Sequence, residues 1–239
     1  MIVMKMSVVV PTYNLGSYVK GLLANLAKQT VDFELWLVDD GSTDETVIRL
    51  NRFVEGNPNF HVVQLEHQGV SVARNYGLRH ATGDGIVFID GDDLIASNFV
   101  EILEQGLDQG AVMAVVGYEW YRRPAVQTDS FVELDQKSMF DQVSHHGTEV
   151  GGYVWNKAFR TSAIKAANLT FDESLHLAED YLFTATFVAH TPGKYVYLSR
   201  VLYTKRNRPD STLHKANRQD RNEENHVFDQ IYSLQKFIE

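Results

Sequence analysis

No cysteine occurs anywhere in the 239 residues, which excludes disulfides and thiolate-held metals. No apolar run approaches the length of a membrane span. The opening Met1-Ile2-Val3-Met4-Lys5 is too short, and merges too quickly into a strand, to be a signal peptide. The expectation is a cytoplasmic protein, with contact at the inner face of a membrane as the alternative placing. Low-complexity tracts and internal repeats are also missing. Positive charge is in deficit: a net charge of −9 argues against nucleic acid as a partner. It does not exclude a nucleotide held through a metal or through local basic groups. With 44% hydrophobic residues the chain has ample material for a core.

What is present is a rhythm. Met6 to Val10 reads as a buried strand, closed by Pro11-Thr12-Tyr13-Asn14, since proline cannot donate to a ladder. Ser17 is placed to cap a helix carrying Val19, Leu22, Leu23 and Leu26 at helical spacing. Phe33 to Val38 forms a second strand, ended by Asp39-Asp40-Gly41-Ser42-Thr43-Asp44. A helix with Val47, Leu50 and Val54 follows, with Asp44 suited to cap it. His61 to Leu65 is a third strand and Val70 to His80 a third helix, which Gly83 is placed to end. Strands alternating with helices through short loops predict a parallel sheet covered on both faces. Ligands in such sheets bind beyond the carboxyl ends of the strands. Three polar loops share that position here.

The third of them is the most informative. Ile86-Val87-Phe88-Ile89 is a short apolar run that stops in Asp90-Gly91-Asp92-Asp93. Alternation along a strand points Asp90 and Asp92 the same way, and Gly91 lets a ligand approach the backbone. Carboxylates this close repel, raising one pKa or recruiting a cation. Hard oxygen donors suit Mg2+ or Mn2+, which would keep open positions for phosphate oxygens. The competing reading is a polar turn before a helix, with Ser97 the better cap.

Beyond a helix containing Val100, Leu103 and Leu107, and a strand from Val112 to Gly117, the rhythm breaks. Residues 119–150 are mixed and polar, with a short helix expected from Gln136 to Val143. His145 and His146 read as exposed. An apolar helix carrying Phe183, Phe187 and Val188 follows Glu179-Asp180. Tyr195 to Leu198 and Val201 to Lys205 read as two strands. Val227, Ile231, Leu234 and Ile238 form a stripe on a final helix, expected to pack on the domain. A homodimer or a peripheral membrane surface is the alternative use of that stripe. Three parts are therefore expected: residues 1–118, residues 119–215 of the same domain, and 216–239, an amphipathic helix.

Five stretches together resemble the glycosyltransferase family 2 enzymes. They are Val8-Val9-Val10-Pro11-Thr12-Tyr13-Asn14, Val38-Asp39-Asp40-Gly41-Ser42-Thr43-Asp44, Gly69-Val70-Ser71-Val72-Ala73-Arg74-Asn75-Tyr76-Gly77, Ile89-Asp90-Gly91-Asp92-Asp93 and Ala178-Glu179-Asp180. Gly91 stands where many relatives carry serine. The resemblance implies a GT-A fold: an α/β domain with a central, mostly parallel sheet flanked by helices and a smaller acceptor-side region. It makes residues 1–118 the nucleotide-sugar-binding half and 119–215 the acceptor-binding and catalytic-base half. It also implies inverting, metal-dependent transfer of a hexose or N-acetylhexosamine from a UDP-sugar to a glycan or lipid-linked saccharide, in surface or capsular polysaccharide synthesis.

The same resemblance assigns Pro11, Thr12, Tyr13, Asp40 and Arg74 to the nucleotide pocket. Asp40 would accept the uracil imide N–H, which cytosine lacks, and Tyr13 would stack on the ring. Asp90 would face ribose and metal, with Gly91 beside it, and Asp92 would bind Mn2+ or Mg2+ against the diphosphate. Asp93 fits an orienting role, while Asp39 is left open between turn and site. Arg206, Arg208 and Ser211 resemble a basic segment that closes over the diphosphate. Trp155 and Lys157 resemble an acceptor-side shelf, and Glu179 joins them there. Asp180 is the expected general base and Glu179 its rival.

Two other classes compete. A nucleotide-dependent dehydrogenase is disfavoured because Pro-Thr-Tyr-Asn, not Gly-x-Gly-x-x-Gly, follows the first strand. A GT-A module that binds a nucleotide or glycan without chemistry would have no need of a base.

Overall fold

The computed structural model describes residues 4–120, 126–207 and 218–238. Its first half runs β1 (Met6–Thr12), α1 (Val19–Leu26), β2 (Glu34–Asp39), α2 (Thr46–Val54), β3 (Phe60–Gln64), α3 (Val70–His80) and β4 (Gly85–Phe88). The second half holds β5 (Leu94–Ile95), α4 (Phe99–Asp108), β6 (Met113–Glu119), β7 (Val132–Leu134), α5 (Gln136–Val143), β8 (Lys157–Arg160), α6 (Thr161–Ala166), α7 (Glu179–His190), β9 (Tyr195–Thr204) and α8 (Arg218–Ser233). A 3-10 turn, Leu234–Phe237, follows α8.

Among the described residues these strands form one sheet in the order β3-β2-β1-β4-β8-β6-β9-β5, with β7 also on β9. The β3-β2-β1-β4 half is wholly parallel. Beyond it the sheet is mixed, because β8 runs antiparallel to both β4 and β6. Strand reversal there follows from the long excursion through β7 and α5, which returns the chain from the opposite end. The two strands expected near the C-terminus are one, β9, whose register against β6 shifts around Gly117.

Alternation along β1 builds two cores at once. Val8 and Val10 point to one face with Leu22, Leu26 and Leu103; Val9 points to the other with Ala73, Phe183 and Phe187. On the second face α3 lies so close to β1 that a Cβ at Gly77 would sit 2.3 Å from Val9 Cγ1. Glycine inside that helix is destabilising by propensity, and the close approach explains it. The C-terminal stripe packs on the α7 side: Val227 and Ile231 on α8 are fully covered, while Leu234 and Ile238 lie beyond that helix and are half-buried. Among the described residues no helix is long and apolar enough to cross a membrane.

The helix starts differ from expectation. Neither Ser17 nor Ser97 caps a helix: α1 and α4 begin after Tyr18 and Asn98, with no side-chain cap bond. Backbone turns hold these entries instead, Tyr18 N–H donating to Leu15 O and Phe99 N–H to Ala96 O. Helix α3 ends at His80, and Gly83 lies beyond it, its N–H donating to Ser7 Oγ.

Candidate active site

The loops after β1, β2 and β4 meet at one edge, the carboxyl ends of three adjacent parallel strands. The β2 loop divides its acids between two jobs. Asp39 is fully buried and closes the turn: its Oδ1 accepts Ser42 N–H at 2.7 Å, and its Oδ2 accepts Thr12 Oγ1 at 2.9 Å and Ser42 Oγ at 2.6 Å. Asp44 does not cap α2: it lies one residue before the N-cap, Glu45, and accepts Thr46 N–H at 2.9 Å. Asp40 reaches the next loop: Oδ1 accepts Gln68 N–H at 2.8 Å, and Oδ2 accepts Gly69 N–H at 2.9 Å. That same Oδ2 shares a 2.7 Å hydrogen bond with His67 Nδ1.

His67 in turn lies flat on Tyr13, ring centroids 4.0 Å apart and 8° from parallel. Tyr13 keeps 41% of its surface exposed, whereas Pro11 and Thr12 are buried beneath it. Nothing in the local sequence marks His67 as a site residue; only the fold brings it to Tyr13.

Arg74 takes different partners from Asp40. It is buried on α3, donating through Nη2 to Asp90 Oδ1 at 3.0 Å and through Nη1 to Glu179 Oε1 at 2.6 Å. One guanidinium therefore ties the β4 loop to the start of α7, with Arg74 and Glu179 105 residues apart in sequence. Lys205, just past β9, completes the cluster: Nζ lies 2.7 Å from Asp90 Oδ2 and 3.1 Å from Asp93 Oδ2. Asp93 is fully buried, and also accepts Tyr203 Oη–H at 2.5 Å and Arg206 N–H at 2.8 Å.

These surroundings push the carboxyls apart. Burial would raise Asp90, but Lys205 and Arg74 together hold it well below the usual carboxylate range. Asp93 goes the other way, up to about 7: burial and the neighbouring Asp90 and Asp92 outweigh Lys205. Asp92 is 8% exposed. At Gly91 an added Cβ would meet Leu15 Cδ1 at 2.5 Å and Pro11 O at 3.1 Å, so the two loops touch there with no room for a side chain.

Across from this cluster, α7 opens with Glu179 and Asp180 behind Ala178, whose φ of 59° is unusual for a residue with a Cβ. Glu179 is committed to Arg74. Asp180 accepts Tyr181 N–H at 2.8 Å, and among the described residues no ion pair engages it. Burial, then the charge of Glu179, pushes Asp180 up to about 7 despite Arg74.

Trp155 and Lys157 are core residues and offer no shelf. Trp155 is 2% exposed, stacked between Tyr153 and Tyr203. Lys157 is fully buried, its ammonium on Asn156 Oδ1 and Val150 O, and burial drives its pKa well down. The partly exposed aromatics at this place are Tyr118, Trp120 and Tyr153, with Trp120 edge-on to Tyr153. The run Gly151-Gly152-Tyr153 carries no motif that would mark it as part of a site. Arg206 lies over the Tyr18 ring, its guanidinium 5.1 Å from the centroid. Arg208 and Ser211 lie outside the described residues.

A parallel half-sheet with acidic loops at its carboxyl edge, joined to a mixed half that brings a second acidic pair, is the architecture of the GT-A fold. A crystal structure of S. aureus TarS residues 1–349 in complex with UDP-GlcNAc aligns with 98% of this chain and 72% of that one, at 26% identity and a TM-score of 0.78. The chain belongs to glycosyl transferase family 2, whose sequence model matches residues 7–165. Among relatives, the uncharacterized glycosyltransferase EpsJ of Bacillus subtilis is 29% identical over 214 residues, 86% of this chain and 62% of EpsJ. The poly(ribitol-phosphate) beta-N-acetylglucosaminyltransferase TarS of Staphylococcus aureus is 31% identical over 192 residues, 76% of this chain and 32% of TarS. The chain thus spans about three-fifths of EpsJ and a third of full-length TarS.

Proposed function

We propose that this protein transfers a hexose or N-acetylhexosamine from a UDP-sugar to a hydroxyl of a saccharide or lipid-linked saccharide, with inversion, in surface polysaccharide synthesis. The observation that carries this reading is the separation of two carboxylate sites by one buried arginine. On one side Asp90, Asp92 and Asp93 gather where a nucleoside diphosphate would lie. On the other, Asp180 makes no ion pair among the described residues and is raised to about 7 by burial and Glu179, despite Arg74. A binding module needs the first site but not the second. TarS, solved with UDP-GlcNAc, supports a uridine donor.

In this reading the exposed face of Tyr13 receives the base and Asp40 shapes the rim through His67, Gln68 and Gly69. Asp40→Ala is expected to weaken UDP binding about 10- to 100-fold, the equivalent of roughly 1.5–3 kcal/mol for a lost charge-assisted bond. Calorimetry checks it; unchanged UDP affinity would move the base elsewhere.

The donor's diphosphate brings more negative charge to an acidic cluster, which calls for a cation. Among the described residues no group of three acidic or histidine side chains is placed to hold a metal alone. The donor set still fits Mn2+ or Mg2+: it is all carboxylate oxygen, and the Lys205 ammonium already stands as a cation on Asp90 and Asp93. Asp92 and Asp90 would hold the ion, alongside phosphate oxygens of the donor. A bound metal would neutralise charge on the leaving UDP. Turnover is expected to require Mn2+ or Mg2+ and to be lost in Asp92→Ala, measured as UDP release. Full turnover in excess chelator would contradict this.

A further inference from the structure

Every oxygen of Asp90 and Asp93 already has a donor. Asp90 gives one oxygen to Arg74 and one to Lys205. Asp93 gives one to the backbone N–H of Arg206 and the other to Tyr203 and Lys205. These donors differ in how readily they can leave. Arg74 and Tyr203 are buried, and the Arg206 N–H belongs to the main chain. Lys205 is a point charge on a flexible stem, its side chain 15% exposed, at the start of the segment after β9. Its position between two carboxylates, 2.7 and 3.1 Å away, is one a divalent cation would seek.

We propose that Lys205 is a built-in cation that excludes divalent metal from the Asp90–Asp93 pair until the donor arrives. The consequence runs against ordinary expectation for a site residue. Removing Lys205 frees one oxygen of Asp90, leaving Arg74 on the other, and takes the ammonium away from Asp93, so the protein without nucleotide should bind metal more tightly. The inference rests on the metal-assisted reading above and is a positioning role, since Lys205 acts through Asp90 and Asp93. It gives the start of the 205–207 segment a structural purpose: Lys205 Nζ and the Arg206 N–H together hold the acidic loop.

The test is an electron paramagnetic resonance titration of free Mn2+ against the full chain, with and without UDP. Without nucleotide, Lys205→Met is expected to bind Mn2+ about tenfold more tightly than the parent, or more, the scale of one charge-assisted bond. Lys205→Arg, which restores the charge, should bind like the parent. A variant merely damaged in structure would lose affinity, not gain it. Thermal melts check folding, and Lys205→Gln carries the same expectation if Lys205→Met melts early. Equal or weaker Mn2+ binding by the uncharged variants would overturn the proposal. The UDP arm separates the two readings. If UDP promotes Mn2+ uptake but Lys205→Met shows no gain without it, the metal-assisted site stands and the role of Lys205 falls. If UDP promotes no uptake in parent or variant, the donor reading fails on its own account, and the titration without nucleotide still decides Lys205.

Discussion

Replacing Asp180 by Asn is expected to leave UDP-sugar binding intact and to slow transfer by roughly 10²–10⁴-fold. An inverting transfer is a single displacement, and the acceptor hydroxyl attacks well only as its proton is taken. The base must therefore sit across the sugar from the leaving diphosphate. Asp90 and Asp93 are held by Lys205 and Glu179 by Arg74, which is why Asp180 is the carboxylate proposed for the task. Burial and the neighbouring Glu179 raise it to about 7. Transfer should then climb with pH below about 7 and level off above, and Asn in its place should flatten that limb.

The stability sign is opposite. A carboxyl raised above its unfolded value of 3.8 binds its proton more tightly in the native state, so it costs stability as pH rises from that value to about 7. Asp180→Asn removes that loss, so the variant should melt no lower than the parent at pH 8. Loss of transfer in a well-folded variant would be a loss of chemistry. If Asp180→Asn transfers near the parent rate while Glu179→Gln does not, the base lies one residue back.

Arg74→Met should be the most damaging substitution for the fold, costing about 3–5 kcal/mol. Arg74 is 4% exposed and its partners Glu179 and Asp90 are 10% and 21% exposed, so removing it strands charge in the interior. Methionine fills similar space, which keeps the packing loss small. Lys205 still serves Asp90, so Glu179 is the stranded member. Chemical denaturation of Arg74→Met, Glu179→Gln and the double variant gives the coupling directly. The double variant should recover part of the loss. A single-variant cost below about 1 kcal/mol, typical of surface pairs, would mean that the Arg74 bridge is not what joins the two halves.

Much of this was legible in the sequence because it is local. Strand and helix periods in residues 6–88 predict the parallel half, and the acid clusters lie at strand ends where such sheets bind ligands. The helix at Gln136–Val143 was visible for the same reason. What the sequence could not show depends on long-range partners. Asp39 and Asp40 are identical neighbours, yet one closes a turn and the other holds the loop at 67–69. The join of Arg74 to Glu179, and Lys205 on Asp90, span 105 and 115 residues. Trp155 and Lys157 misled for a related reason. Trp-x-Lys at the start of a strand does not disclose that β8 lies between β4 and β6, covered on both faces.

The central claim is that the carboxyl edge of the parallel half receives a UDP-sugar. The measurement closest to it is the thermal shift of the parent chain with a panel of nucleotide sugars and Mn2+, which needs no acceptor. One or more UDP-sugars should raise Tm in a concentration-dependent way, corresponding to about 2.7 kcal/mol at a hundred times Kd. Cytidine and purine counterparts should fall well short, and Asp40→Ala should lose most of the shift. Stabilisation by a purine nucleotide sugar and by no UDP-sugar, or equal shifts in Asp40→Ala, would contradict the account.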